Sequence, residues 1–118
     1  MSYELEYVDD VPIVSLDGNI SRSSARWLDD VIISVFKSGQ TNMILDFSKV
    51  EHIDYKLVEH LSSRIKELKN AGGEISLAAV NHYVRNIFKA MGWQEELYPS
   101  VAEALLGLLD EAVARPWQ

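Results

Sequence analysis

The chain has 118 residues, a formal net charge of −7, 47% hydrophobic residues and no cysteine. This length suits a single domain, residues 1–118, with a core large enough to fold without disulfides or metals. The acidic balance and the lack of any lysine or arginine cluster argue against nucleic acids and anionic membrane surfaces as partners. Without cysteine there is no disulfide, thiol catalyst or thiolate metal site, which fits the cytoplasm. No apolar run predicts membrane insertion and the first residues form no signal peptide.

The N-terminal residues predict an antiparallel hairpin. Residues 3–8 alternate between apolar and polar side chains, Asp9-Asp10 is a turn signal, and residues 11–16 form a second short strand. Pro12 cannot donate a ladder hydrogen bond, so it belongs at the start of that strand or on a sheet edge. Gly18-Asn19 is expected to end the strand.

A first helix is predicted to run to about Lys37. Ser21, Ser23 and Ser24 are candidate N-caps, and Gly39 suits the left-handed residue just past the end. Trp27 lies beside the apolar stripe, so it is either a tryptophan at the core edge or an interface anchor. The stripe itself has helical spacing and comprises Ala25, Leu28, Val31, Ile32, Val35 and Phe36.

The central segment predicts a buried strand followed by a functional loop. Met43-Ile44-Leu45 and Phe47 have no polar face, as expected for a parallel strand covered on both sides. Val50 and Ile53 form a short second apolar run, and Asp54 is placed to cap the next helix. Loops at the carboxyl ends of parallel strands usually carry function, so we expect it in residues 46–56.

The second half alternates helices and strands. A helix over residues 55–70 stops at Gly72-Gly73, and a strand covers residues 74–80. Asn81 caps a short helix that ends at Gly92, residues 96–98 form a minimal edge strand, and Ser100 opens a last helix that ends at Arg115-Pro116. The predicted fold is therefore α/β, in the order ββαβαβαβα. Its sheet is mainly parallel, with right-handed crossovers and an antiparallel hairpin at the start.

Catalytic and metal-binding patterns are not found in the sequence. His52 lies beside Glu51 and Asp54, and His60 falls in the next helix, but neither has the spacing of a metal site. Neighbouring acids such as Asp29-Asp30 are expected to be solvated surface charges. No nucleophile–base pair, P-loop or dinucleotide fingerprint is found, so we predict a non-enzymatic protein without a cofactor.

The order and spacing of several segments together resemble the STAS domain of bacterial anti-sigma factor antagonists. The matching segments are residues 43–50, Ile53-Asp54, residues 72–77, residues 84–88, residues 91–93 and residues 100–105. In that family a serine or threonine at the start of the helix after the central strand is phosphorylated by an anti-sigma kinase, and the phosphate releases the partner. The resemblance therefore implies a role in transcription regulation.

This chain departs from the family at the phosphorylation site. It reads Asp54-Tyr55-Lys56-Leu57 where the family commonly reads Asp-Ser-Ser-Gly, so the acceptor position falls on Lys56. A phosphate there would benefit from the helix dipole, whereas a lysine is neither an acceptor nor a phosphate mimic. The family's aspartate after the second strand is also missing, because Ser21 follows Ile20. Tyr55 and Ser48 remain as substitute hydroxyls.

The leading hypothesis is a regulatory STAS domain that binds a protein partner, by resemblance an anti-sigma factor or a GHKL-type switch kinase. The domain would be a monomer or weak dimer. The predicted partner-binding residues are Ser21, Trp27, Asp46, Ser48, Asp54, Tyr55 and Lys56. One alternative is a structural subunit of a larger assembly, such as a lipid-transport ATP-binding cassette complex or a stress-sensing particle. Another is a small-molecule or nucleotide sensor. Trp93 and Trp117 are further candidate interface anchors.

Overall fold

The computed structural model describes the backbone of residues 2–113 and the side chains of residues 3–108. The predicted helix end at Arg115-Pro116 and the candidate anchor Trp117 lie outside these ranges. The strands are β1 (Ser2–Val8), β2 (Val11–Ile20), β3 (Asn42–Ile53), β4 (Glu74–Ala78) and β5 (Leu97–Tyr98). The helices are α1 (Ala25–Lys37), α2 (Tyr55–Asn70), α3 (His82–Ala90) and α4 (Val101–Val113), and a 3₁₀ turn, Arg22–Ser24, precedes α1.

The five strands form one sheet in which spatial order equals chain order, β1-β2-β3-β4-β5. β1 is antiparallel to β2, and every other neighbouring pair is parallel. The predicted order ββαβαβαβα, with an antiparallel hairpin at the start, is confirmed. Pro12 is the second residue of β2, before the parallel ladder with β3 begins at Ile13, so its missing donor is tolerated as predicted.

Helices cover both faces of the sheet, and the alternation of side chains along the strands reflects this. In β3, Met43 and Leu45 belong to the large core packed by α1, α2 and α3. Ile44, between them, belongs to a smaller core that includes Ala104 of α4. All three strand residues are fully buried. The continuous apolar run therefore predicted correctly a strand covered on both faces.

The expected loop over residues 46–56 is wrong, because β3 continues without interruption to Ile53. The second half of β3, Lys49 to Ile53, pairs with the end of β2, which itself runs to Ile20 rather than stopping at Gly18. Gly18 has φ +91 and sits next to a register irregularity, so it bends the strand instead of ending it. Only Asp54 separates β3 from α2.

Three predicted helix caps are confirmed. Asp54 and Asn81 accept hydrogen bonds through their side chains from the backbone N–H groups of Lys56 and Val84, both at 2.8 Å. The Oγ of Ser100 accepts from the N–H of Glu103 at 3.1 Å. These bonds satisfy donors that a helix cannot pair internally, and so they set where α2, α3 and α4 begin.

Candidate protein-interaction surface

The carboxyl ends of the parallel strands meet at one end of the sheet, where α1, α2 and α3 begin. Asp54 lies at the centre of this carboxyl end. Its backbone N–H donates to the carbonyl of Ile20 at 2.8 Å, which joins the end of β2 to the start of α2. Its Oδ1 accepts from the Lys56 N–H. The half-buried Asp54 therefore has a structural role, and it fixes the direction in which the next two side chains leave the helix.

Tyr55 and Lys56 are the exposed residues at the start of α2. Tyr55 is 50% exposed. The Nζ of Lys56 lies 5.5 Å from the centroid of the Tyr55 ring, within range of a cation–π contact. The first turn of α2 contains no acidic residue. A positive charge thus stands at a helix N-terminus that would otherwise favour an anion.

A STAS domain family model matches residues 2–104, which is most of the chain. The chain belongs to the STAS domain family. The predicted family is confirmed, and so is its fold.

Three relatives show how far the similarity extends. BtrV of Bordetella bronchiseptica, named as an anti-sigma factor antagonist, is 22% identical over 93 residues, which cover 79% of this chain and 80% of BtrV. The structure of an anti-sigma factor antagonist from Mycobacterium paratuberculosis is 24% identical, with a TM-score of 0.78 over 90% of this chain and 92% of that one. For the unphosphorylated form of the anti-sigma factor antagonist SpoIIAA, the identity is 20%, the TM-score 0.75 and the coverage 92% and 97%. SpoIIAA of Bacillus is also known in a phosphorylated form.

Two of the predicted partner-binding residues lie far from Asp54 in the folded domain. Asp46 and Ser48 lie in the middle of β3, about 26 Å and about 20 Å from Asp54 at the usual rise of about 3.3 Å per residue. Asp46 is half-buried and accepts from Ser15 Oγ at 3.2 Å and from the Ser48 N–H at 2.9 Å. Its carboxylate thus joins β2 to β3. Ser48 is exposed but distant from the start of α2.

Of the other two predicted partner-binding residues outside α2, Ser21 lies near Asp54 and Trp27 does not. Ser21 is exposed and directly follows Ile20, whose carbonyl accepts from the Asp54 N–H, so it lies at the same carboxyl end of the sheet. Trp27 is half-buried and packs edge-to-face against Tyr3 of β1, with ring centroids 5.4 Å apart. The opposite side of α1 contacts α2 through Asp29. Trp27 therefore lies at the core edge beside β1, on the side of α1 that faces away from α2.

Tyr83 and His52 form an exposed aromatic pair beside this carboxyl end of the sheet, which the sequence did not reveal. Tyr83, in the first turn of α3, is 56% exposed and stacks on His52 of β3 with ring centroids 5.6 Å apart. The Tyr83 hydroxyl and His52 Nδ1 are 3.0 Å apart and share a hydrogen bond. The pair forms because Asn81 Nδ2 donates to the Val50 carbonyl at 2.9 Å, which holds the start of α3 against β3. His52 is therefore a residue of β3 that stacks on Tyr83.

The expectation that Asp29-Asp30 is simply solvated is wrong for Asp29. Its half-buried carboxylate receives Arg64 Nε at 3.1 Å, Arg64 Nη2 at 3.0 Å and His60 Nε2 at 2.8 Å. Burial alone would raise the pKa of Asp29, but the hydrogen bonds from Arg64 and His60 outweigh it and the pKa is lowered. The hydrogen bond to Asp29 is likewise the main reason that the pKa of Arg64 is raised. The cluster of Asp29, His60 and Arg64 therefore joins α1 to α2 and stabilises the two helices that begin at the carboxyl end of the sheet.

Within residues 2–113 no three histidine, aspartate or glutamate side chains converge on a point where a metal ion could sit. The helices in that part of the chain are too short or too polar to cross a membrane. We define the carboxyl-end surface by its exposed or half-exposed residues, which are Ser21, His52, Asp54, Tyr55, Lys56 and Tyr83.

Proposed function

We propose that this STAS domain is a non-catalytic regulatory module that binds a protein partner through the carboxyl-end surface. The observation that carries the proposal is the pair of exposed tyrosines, Tyr55 and Tyr83, at the start of two helices held rigidly by their caps. Tyrosine is enriched in protein interfaces, because its ring supplies contact area at a low entropy cost while its hydroxyl can still bond. Lys56 adds a charge that suits an acidic group on the partner.

The partner that fits best is an anti-sigma factor or a GHKL-type switch kinase in the bacterial cytoplasm. Support comes from the family and from relatives named as anti-sigma factor antagonists. Of the residues predicted from the sequence, Ser21, Asp54, Tyr55 and Lys56 belong to the proposed surface. Asp46, Ser48 and Trp27 do not, since they lie in mid-strand or beside β1.

We further propose that phosphorylation does not control binding at position 56. By the family resemblance this position carries the phosphate acceptor, and here it is a lysine whose ammonium lies against the Tyr55 ring. A phosphoryl group would bring close to two negative charges to the N-terminus of α2. Lys56 brings one positive charge instead, so the state of this surface is constant rather than switched.

Binding tests this proposal directly. The dissociation constant of the complex with the anti-sigma factor or switch kinase of the same organism is measured by calorimetry for the wild type, Tyr55→Glu and Lys56→Glu. We expect each substitution to weaken the complex about tenfold or more, as is usual for central interface residues. Ser48→Glu is the matched control for Tyr55→Glu, because it adds the same single negative charge at an exposed site about 20 Å away. An unchanged constant for both Tyr55→Glu and Lys56→Glu would remove this surface from the interface.

Intact-mass measurement after incubation with the kinase and ATP tests the second part. We expect the wild type to stay unmodified and Lys56→Ser to gain about 80 Da, the mass of one phosphoryl group. A gain in the wild type would mean that Tyr55, Ser48 or another hydroxyl accepts phosphate, which contradicts a constant surface. A Lys56→Ser variant that stays unmodified would argue against a switch kinase as the partner.

A further inference from the structure

The two edges of the sheet differ in how they are protected. β5, at one edge, is only Leu97–Tyr98. β1, at the other edge, is Ser2–Val8, and the side chains of residues 3–7 are all exposed. Proteins usually blunt an edge strand by shortening, bulging or covering it, because unpaired backbone groups attract other strands. β1 pairs regularly with β2, from Ser2 opposite Asp17 to Val8 opposite Val11, and no other strand within residues 2–113 pairs with it. β1 is therefore a long open edge of the described sheet.

The turn after β1 decides which backbone groups point outward. Asp9 and Asp10 have φ values of +50 and +66, which is the pattern of a two-residue type I′ turn. The pair that closes such a turn, Val8 and Val11, exchanges both hydrogen bonds, and the pattern alternates along an antiparallel ladder. The N–H and C=O groups of Tyr3, Leu5 and Tyr7 therefore point away from β2.

The side chains of the same strand divide by face. Tyr3, Leu5 and Tyr7 are between 44% and 51% exposed and lie on the face of α1, where Tyr3 meets Trp27. Glu4 and Glu6 lie on the other face, are exposed, and form no ion pair with any residue in the described part of the chain. Lys49 borders the same small hollow as Glu4. An added strand would therefore meet an apolar stripe on one face and two carboxylates on the other.

Charge argues against a second copy of this chain as the occupant. Antiparallel self-pairing must join outward-pointing residues to outward-pointing residues, so odd-numbered positions pair with odd and even with even. In every such register that keeps most of β1 paired, Glu4 or Glu6 faces a glutamate of the other copy. Directly opposed like charges destabilise a strand pair, and the net charge of −7 adds to the repulsion.

We propose that the β1 edge accepts an extended basic segment of a partner protein as an added strand. Apolar side chains of that segment would continue the stripe of Tyr3, Leu5 and Tyr7, and alternate lysines or arginines would face Glu4 and Glu6. Backbone hydrogen bonds supply the affinity in this mode, and the alternating side chains supply the specificity. The edge is separate from the carboxyl-end surface, and this inference does not depend on the function proposed for that surface.

The test uses the full chain, labelled with ¹⁵N, and a synthetic peptide that alternates lysine and valine over the length of β1. The control peptide has the same composition with the lysines and valines grouped in two blocks. We expect only the alternating peptide to slow the amide exchange of Tyr3, Leu5 and Tyr7 by about tenfold or more, because these N–H groups gain partners. The amides of Glu4 and Glu6, already paired with β2, should not slow further.

Two variants separate strand addition from simple charge attraction. Leu5→Pro removes an outward N–H without touching the ladder to β2, so we expect an unchanged spectrum elsewhere and a loss of peptide binding of about tenfold. Glu4→Lys combined with Glu6→Lys should lose the lysine peptide and bind a glutamate–valine peptide instead. No binding of the alternating peptide, equal binding of the block peptide, or unchanged affinity in Leu5→Pro would overturn the proposal. A wild-type dimer in sedimentation that Leu5→Pro dissociates would also overturn it, in favour of self-pairing.

Discussion

Asp29 on α1 and Arg64 on α2 form a two-point ion pair, with Nε to Oδ1 at 3.1 Å and Nη2 to Oδ2 at 3.0 Å. Asp29 lies on the side of α1 that faces away from Tyr3, and Arg64 also bonds Glu67 at 2.9 Å. Bidentate pairs of this kind are the strong members of their class, because the planar guanidinium matches the carboxylate. The pair fixes the position of α1 relative to α2, behind the carboxyl-end surface.

Replacing Asp29 should therefore destabilise the fold. We expect Asp29→Asn to lower the free energy of unfolding by about 1–2 kcal/mol, because Arg64 and His60 lose a half-buried charged acceptor. Urea unfolding followed by circular dichroism measures the change. Asp30→Asn is the matched control. Asp30 is exposed, so this substitution is expected to change the free energy of unfolding by no more than about 0.5 kcal/mol. Equal losses in the two variants would mean that net charge, rather than the pair, is responsible.

The same pair predicts how stability responds to acid. The pKa of Asp29 is lower in the folded chain than its ordinary value of 3.8, so the folded state binds this proton less readily than the unfolded state. The resulting stabilisation is complete above the ordinary value and is lost as the pH falls through the lowered pKa. Unfolding free energies measured from pH 6 down to about pH 2 should fall less steeply for Asp29→Asn than for the wild type. Parallel curves would contradict this assignment.

The cap at Asp54 should contribute to stability independently of binding. Asp54→Ala leaves the Lys56 N–H without its acceptor and is expected to cost about 1 kcal/mol, whereas Asp54→Asn and Asp54→Ser keep an acceptor oxygen and should cost little. Chemical unfolding of the three variants gives the comparison. If Asp54→Asn lost as much as Asp54→Ala, the charge of Asp54 rather than its hydrogen bond would set the start of α2.

Tyr83 offers a test of the carboxyl-end surface that leaves α2 untouched. Tyr83→Ala removes a side chain that is 56% exposed, so we expect a small change in stability but a partner complex weakened by about tenfold. Leu106→Ala, at 57% exposure on α4 across the sheet, is the matched control and should leave the dissociation constant unchanged. A similar loss from both variants would indicate a general effect on the fold, and no loss from Tyr83→Ala would exclude α3 from the interface.

Local signals predicted much of the fold. The caps at Asp54, Asn81 and Ser100 and the apolar stripe of α1 depend on residues close in the chain, so the sequence locates them well. The continuity of β3 was missed because residues 49–53 are held in a strand by pairing with the end of β2, which no local pattern reports. A tertiary contact overrode the local preference for a loop.

The candidate site was predicted at Ser21 and at residues 54–56, but not at the residues that tertiary contacts bring to it. Tyr55, Lys56 and Asp54 follow one another, and the family motif located them. The partnerships of His52 with Tyr83 and of Asp29 with Arg64 join residues more than 30 positions apart, 31 and 35 respectively, and arise from how α3 and α2 dock. Tyr83, two residues after the capping Asn81, was the single local sign that the start of α3 contributes to the proposed carboxyl-end surface.

The identity of spatial order and chain order in the sheet bears on how this protein is made. During synthesis β1 and β2 emerge before β3, β4 and β5, and each later strand then finds its neighbour already formed at the growing side of the sheet. No strand has to wait for a later one to be inserted between two that are already paired. Connections between adjacent strands also keep contacts short in sequence, which favours rapid folding. Until β3 emerges, however, both sides of the first hairpin are open, and its acidic turn and glutamates then act against premature association between nascent chains.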